Sequence, residues 1–96
     1  MLKILVKYIS PFLKDVTKRE SEVIKVTGEN ASVNDLVVAL TKKYGEKFRE
    51  SLMDNDNIKT FIQVLVNGKN IRFLSGLDTK LKDSDVMSFV YHVGGG

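Results

Sequence analysis

The chain has no cysteine and no tryptophan, and only one proline and one histidine among its 96 residues. Without cysteine there is no disulfide frame, zinc ribbon, iron–sulfur cluster or thiol nucleophile. The single histidine is His92; a nucleophile–base pair needs a positioned base, and one histidine near the chain end reads as a linker residue instead. Two pairs of acids, Asp54 with Asp56 and Asp83 with Asp85, fall within turns and read as solvated caps, not as a metal site. No apolar run approaches the ~20 residues that span a bilayer. The segment from Met1 to Lys7 is interrupted by Lys3 and Lys7 and has no small-residue cleavage site behind it. No signal peptide and no membrane association are expected, and a cytoplasmic location follows.

A strong charge of one sign is also missing. Fifteen basic residues against twelve acidic ones leave a net charge of +3. The lysines are scattered, at Lys3, Lys7, Lys14, Lys25, Lys42, Lys59, Lys69 and Lys80 among others, and the three tyrosines and five phenylalanines do not interleave with them. That distribution argues against a stacking platform for nucleic acid. What remains, 43% hydrophobic and 28% charged residues, is the composition of one globular domain covering 1–96. It has room for one sheet and one or two helices.

Leu2, Ile4, Val6 and Tyr8 alternate with Lys3, Leu5, Lys7 and Ile9, a period of two that predicts a strand ended by Ser10-Pro11. Phe12 to Ser21 reads as a connection, and Glu22–Val26 as a second strand closing a hairpin with the first. Ser32, with Asp35 three residues on, predicts a capping-box start. Val33, Leu36, Val37, Leu40 and Tyr44 then recur at helical spacing up to Gly45. A weaker helical pattern runs from Glu46 to Met53, and Asp54–Asn57 reads as a polar turn. Phe61–Val66 is the most β-prone run and Asn67-Gly68 a strong turn signal. A short strand from Lys69 to Phe73, an irregular stretch with Leu81 as a core anchor, and a last strand from Val86 to Tyr91 complete the chain. The order strand, strand, helix, strand, short strand, strand is that of an α+β, ubiquitin-like β-grasp fold. Its mixed sheet has the first and last strands parallel at its centre and one main helix packed across one face.

Strand parity sorts side chains between two faces. Leu2, Ile4, Val6, Ile62, Val64, Val66, Met87 and Phe89 form one apolar set, so Lys3, Lys7, Gln63 and Ser88 turn away from the helix. The outward set also holds Leu5, Phe61, Leu65, Val86 and Val90, an apolar patch ringed by lysines that is the expected partner surface. The competing reading is that a loop such as Phe12 to Ser21 covers it, or that exposed aliphatics there are ordinary.

The sequence ends at Gly94-Gly95-Gly96. A glycine run can thread a narrow channel and present an unshielded carboxylate, so residues 92–96 are expected to form a flexible tail with its chemistry at Gly96. A frayed, inert terminus is the plainer alternative.

Three features resemble the MoaD/ThiS family of ubiquitin-like sulfur carriers: Val66-Asn67-Gly68-Lys69-Asn70-Ile71, the run from Gly76 to Asp85, and the Gly95-Gly96 end. The similarity extends over essentially the whole chain, which resembles in particular the small subunit of molybdopterin synthase. The resemblance implies that a ubiquitin-activating-type enzyme uses ATP to adenylate Gly96, that a sulfur donor converts the acyl adenylate to a thiocarboxylate, and that Gly94 and Gly95 lead it into the large subunit of molybdopterin synthase. It implies no stably bound cofactor, and the want of a positioned base points away from catalysis by the chain alone. The same tail would serve a protein modifier that acylates lysines, or a carrier for thiamine or tRNA thiolation. A β-grasp binding module with an inert tail is the alternative from another class. Tyr91-His92 stands where the family commonly has a proline pair, which removes two fixed φ angles.

Overall fold

The computed structural model describes residues 1–91. Strand β1 (Leu2–Tyr8) pairs antiparallel with β2 (Ser21–Val26), in a register running from Leu2 opposite Val26 to Lys7 opposite Ser21. Between them the expected connection is instead a helix, α1 (Pro11–Thr17), which buries Leu13 and Thr17. Its cause is local. Pro11 has the φ a first helical position needs and lacks only an N–H that would be unpaired there anyway.

Helix α2 (Val33–Tyr44) starts at the capping box: the Asp35 N–H donates to Ser32 Oγ at 3.2 Å and the Ser32 N–H to Asp35 Oδ2 at 2.9 Å. It buries Val33, Leu36, Val37 and Leu40, the expected stripe. Gly45, at φ 89°, breaks the helix in a conformation L side chains rarely adopt. Helix α3 (Glu46–Leu52) follows and buries Phe48 and Leu52. The main helix is thus joined by two short ones.

The polar turn at Asp54–Asn57 is the bend of a small hairpin, β3 (Met53–Asp54) with β4 (Asn57–Ile58). Strand β5 (Ile62–Val66) turns at Asn67-Gly68, both at positive φ (51° and 84°), into β6 (Lys69–Asn70). The strand expected to reach Phe73 stops at Asn70, because its side chain accepts the Arg72 N–H at 2.9 Å and starts a 3-10 turn at Ile71–Phe73. Strand β7 (Val86–Tyr91) completes a five-stranded sheet of order β2-β1-β7-β5-β6.

β7 lies between β1, to which it is parallel, and β5, to which it is antiparallel. Its start is stapled on both sides. Asn67 Nδ2 donates to Asp85 Oδ1 at 2.8 Å and Asn67 Oδ1 accepts the Val86 N–H at 2.9 Å. The Lys3 N–H donates to Asp83 Oδ1 at 2.8 Å. The inner face holds the core, with Tyr8, Phe48 and Phe89 fully buried in mutual ring contact. Leu81 is buried as expected. No helix among the described residues is long and apolar enough to cross a membrane.

Candidate functional site

The outer face of the sheet is open, and its apolar residues lie in register. Leu5 sits between Val23 of β2 and Val86 of β7. The next row runs Ser21, Lys7, Ser88, Leu65, and beyond it Val90 faces Gln63. Leu5, Leu65, Val86 and Val90 are half-buried, while Val23 and Ile9 are more than half exposed. The described structure thus brings four of the five expected partner-surface residues onto one face, with α1 packed against β1 and α3 rather than over it.

The face carries charge of one sign. Parity gives β1 and β2 three outward lysines, Lys3, Lys7 and Lys25, and no outward carboxylate on β1, β2, β5 or β7. Lys3 stands directly opposite Lys25. The Tyr8 N–H bonds the Glu20 carbonyl at 2.8 Å, so by alternation Lys3 and Lys25 form a non-hydrogen-bonded pair, where side chains come closest. Like charges in that position are destabilising. A surface of lysines around aliphatics suits a partner with an apolar centre and an acidic rim.

Phe61 is the exception. It precedes β5, and its ring packs at 5.4 Å from Phe12 of α1 and 6.2 Å from Tyr91, which is itself 5.6 Å from Phe12. The strand parity expected for Phe61 fails because residues 60 and 61 form a turn. Its ring therefore belongs to an aromatic triad at the end of β7, where pairs of this kind contribute roughly 0.5–1.5 kcal/mol each beyond area burial. The expected tail site, Gly94, Gly95 and Gly96, lies outside the described residues, as does His92.

A second cluster was not foreshadowed by the sequence pattern. The Glu22 side chain is 6% exposed. It accepts hydrogen bonds from Tyr8 Oη at 2.7 Å, from Tyr44 Oη and from Lys43 Nζ. Burial pushes the Glu22 carboxyl up, but the bonds from Lys43, Tyr44 and Tyr8 outweigh it and hold the group below its ordinary value. Burial, then the bond to Glu22, pushes both phenols up, and the same carboxylate raises the Lys43 ammonium. This carboxylate is occupied on all sides by donors. It joins the C-terminal end of α2 to β1 and β2 and is no free base. The available signal was Glu22 at the start of an amphipathic strand, which looks the same as any solvated acid.

The open cleft of about 880 Å³ between the β3–β4 hairpin and β5 is lined by charges of both signs, including Asp54, Asp56, Lys59 and Arg72. Among the described residues no group of three or more His, Cys, Asp or Glu could hold a metal.

Comparison with known proteins agrees with this geometry. A protein of Archaeoglobus fulgidus described as a sulfur carrier is 32% identical over 73 residues, 76% of this chain and 83% of that protein. Small archaeal modifier protein 3 of Haloferax volcanii is 31% identical over 68 residues, 71% of this chain and 73% of its own length. A solved structure from Pyrococcus furiosus, described as a molybdopterin converting factor subunit 1, superposes with a TM-score of 0.73 at 30% identity, covering 97% of this chain and all of that one. Residues 12–96 match the ThiS family along their whole length. With a ubiquitin-like β-grasp sheet, parallel central strands and a glycine-rich terminal sequence, the chain belongs to the ThiS family.

Proposed function

We propose that this protein is a sulfur carrier whose Gly96 carboxylate is the working group. The observation that carries the reading is the family match over residues 12–96, together with a last strand clamped between β1 and β5 and leading toward the glycine end. A carboxylate is a poor electrophile. A ubiquitin-activating-type partner would join it to AMP, releasing pyrophosphate from ATP, and a sulfur donor would then displace AMP to leave a terminal thiocarboxylate. The chain binds no cofactor in this cycle, since ATP is consumed by the partner. Its own contribution is to dock through Leu5, Leu65, Val86 and Val90 and to extend Gly94–Gly96 into a narrow active site.

The acceptor we favour is a molybdopterin precursor held by the large subunit of molybdopterin synthase, with this chain as the small subunit. The Pyrococcus furiosus neighbour supports that choice. The Haloferax volcanii relative supports a second reading, in which activated Gly96 acylates lysines of other proteins. Intact mass measurement separates the two. The chain is incubated with its native adenylating enzyme, ATP and a sulfur donor, with a Gly96 deletion as control. Exchange of one oxygen for sulfur, absent from the control, is the expected result. Isopeptide adducts on other proteins with no thiocarboxylate would favour the modifier, and an unreactive terminus would overturn both.

A further inference from the structure

We propose that Phe12, Phe61 and Tyr91 are positioning residues: the aromatic triad at the end of β7 fixes where the chain leaves the sheet, and thereby sets how well the Gly96 carboxylate is delivered to the adenylating centre. The inference rests on the sulfur-carrier reading above.

β1 and β7 stay in register only as far as Tyr8 opposite Phe89. There the Ile9 and Ser10 N–H groups both donate to the Phe89 carbonyl, at 2.9 and 2.8 Å, and β1 turns away into α1. Tyr91 therefore extends past its neighbouring strand. The element that meets it on the helix side is α1, through the Phe12 ring. On its other flank Tyr91 faces Ile62. The Asn67 N–H bonds the Val86 carbonyl at 2.8 Å, so alternation along the ladder makes Ile62–Tyr91 a non-hydrogen-bonded pair, in which side chains carry the contact.

Three rings from α1, the turn before β5 and β7 thus converge on the last described residue, with interplanar angles of 56° to 60°. Lys59 Nζ lies 5.8 Å from the Phe61 ring. Phe61 is half-buried and packs against the core, but Phe12 is 45% and Tyr91 40% exposed, so these two rings can be changed without opening a cavity under the sheet. Glycines cannot set their own direction, which makes an anchored side chain upstream the natural place to do it. A misplacement of about 1 Å far from the chemistry can cost on the order of 100-fold in rate.

The test measures pyrophosphate release by the native adenylating enzyme with ATP over a range of carrier concentrations. Phe12→Ala, Tyr91→Ala and Tyr91→Phe are compared with wild type, with the Gly96 deletion as blank, and the backbone order parameter at residue 91 is read by NMR. Both alanine variants are expected to lower kcat on the order of tenfold with KM changed less than about twofold. The order parameter should fall from ~0.85 toward ~0.6. Tyr91→Phe should match wild type in every readout, because the ring and not the hydroxyl makes the contact. A raised KM with unchanged kcat would overturn the proposal by making the triad a docking contact, and an unchanged order parameter would overturn it directly. A wild type no more active than the Gly96 deletion would sink the sulfur-carrier reading and this proposal with it. Alanine variants as active as an active wild type would sink this proposal alone.

Discussion

The two faces of the sheet are built from alternate residues of the same strands, yet they obey different rules. On the inner face Ile4, Val6, Tyr8, Ile62, Met87 and Phe89 are fully buried, and the carboxylate at its margin, Glu22, is surrounded by donors. On the outer face Leu5, Val86, Leu65 and Val90 are half-covered, and Lys3 is held opposite Lys25. A sequence selected for stability alone would have no reason to keep a like-charged pair on one face while satisfying every donor around a carboxylate on the other. Stability is concentrated on the inner face, while the outer one is left open, and it is there that we propose a partner docks.

The sharpest way to break this contrast is one truncation on each face. Phe89→Ala removes a ring packed against both Tyr8 and Phe48 and is expected to destabilise the fold by roughly 3–5 kcal/mol in urea unfolding. Leu5→Ala should cost less than ~1.5 kcal/mol, since its site is already half open. The same variant should weaken binding to the adenylating enzyme about tenfold in calorimetry. Equal destabilisation by the two would mean that the outer face is structural after all.

The next effect in size lies at Glu22. Glu22→Ala leaves the Tyr8 and Tyr44 hydroxyls without their acceptor and should cost roughly 2–3 kcal/mol. The same site gives a pH dependence with a definite sign. The folded-state carboxyl titrates below its ordinary value of 4.5, so its contribution is complete above pH 4.5 and is lost as pH falls through the lower, folded value. Lys43, raised above 10.5, contributes fully below that pH and loses its share as pH rises further. Urea midpoints measured from pH 7 down to 3 should therefore fall less steeply for Glu22→Gln than for wild type. Parallel curves would show that other carboxylates govern acid unfolding.

Much of this contrast was legible in the sequence. The period of two in residues 2–8 fixed both faces of β1, the Ser32–Asp35 spacing gave the start of α2, and Asn67-Gly68 gave a hairpin whose two positive φ angles are observed. Signals that depend on a partner distant in sequence were not legible. Glu22 meets Tyr44 only because α2 crosses the sheet, and Phe61 joins Phe12 and Tyr91 only once three elements have assembled. Helix α1 was readable in principle, from Ser10-Pro11 followed by Leu13 and Thr17, but seven residues carry too weak a periodicity to outweigh the charged residues among them. Val23 was hidden for a similar reason. It is adjacent to Ile24, and only the register with β1 reveals which of the two turns outward.

The smallest stability effect is the most specific test, because its sign opposes its effect on function. Lys25→Glu converts the like-charged pair with Lys3 into an opposite-charged one at the position where cross-strand side chains come closest. It should raise stability by about 0.2–1 kcal/mol, visible as a small upward shift of the urea midpoint at low salt that shrinks as salt is added. The same change removes a positive charge from the rim of the apolar patch and introduces a negative one. Association with the adenylating enzyme, followed by stopped flow, should slow several-fold at low salt, with little change in the dissociation rate. If the lysine pair serves recognition at the expense of the fold, the variant is both more stable and slower to bind. If association is unchanged while stability rises, Lys25 lies outside the docking surface, and the partner contacts only the part of the outer face between β1 and β5.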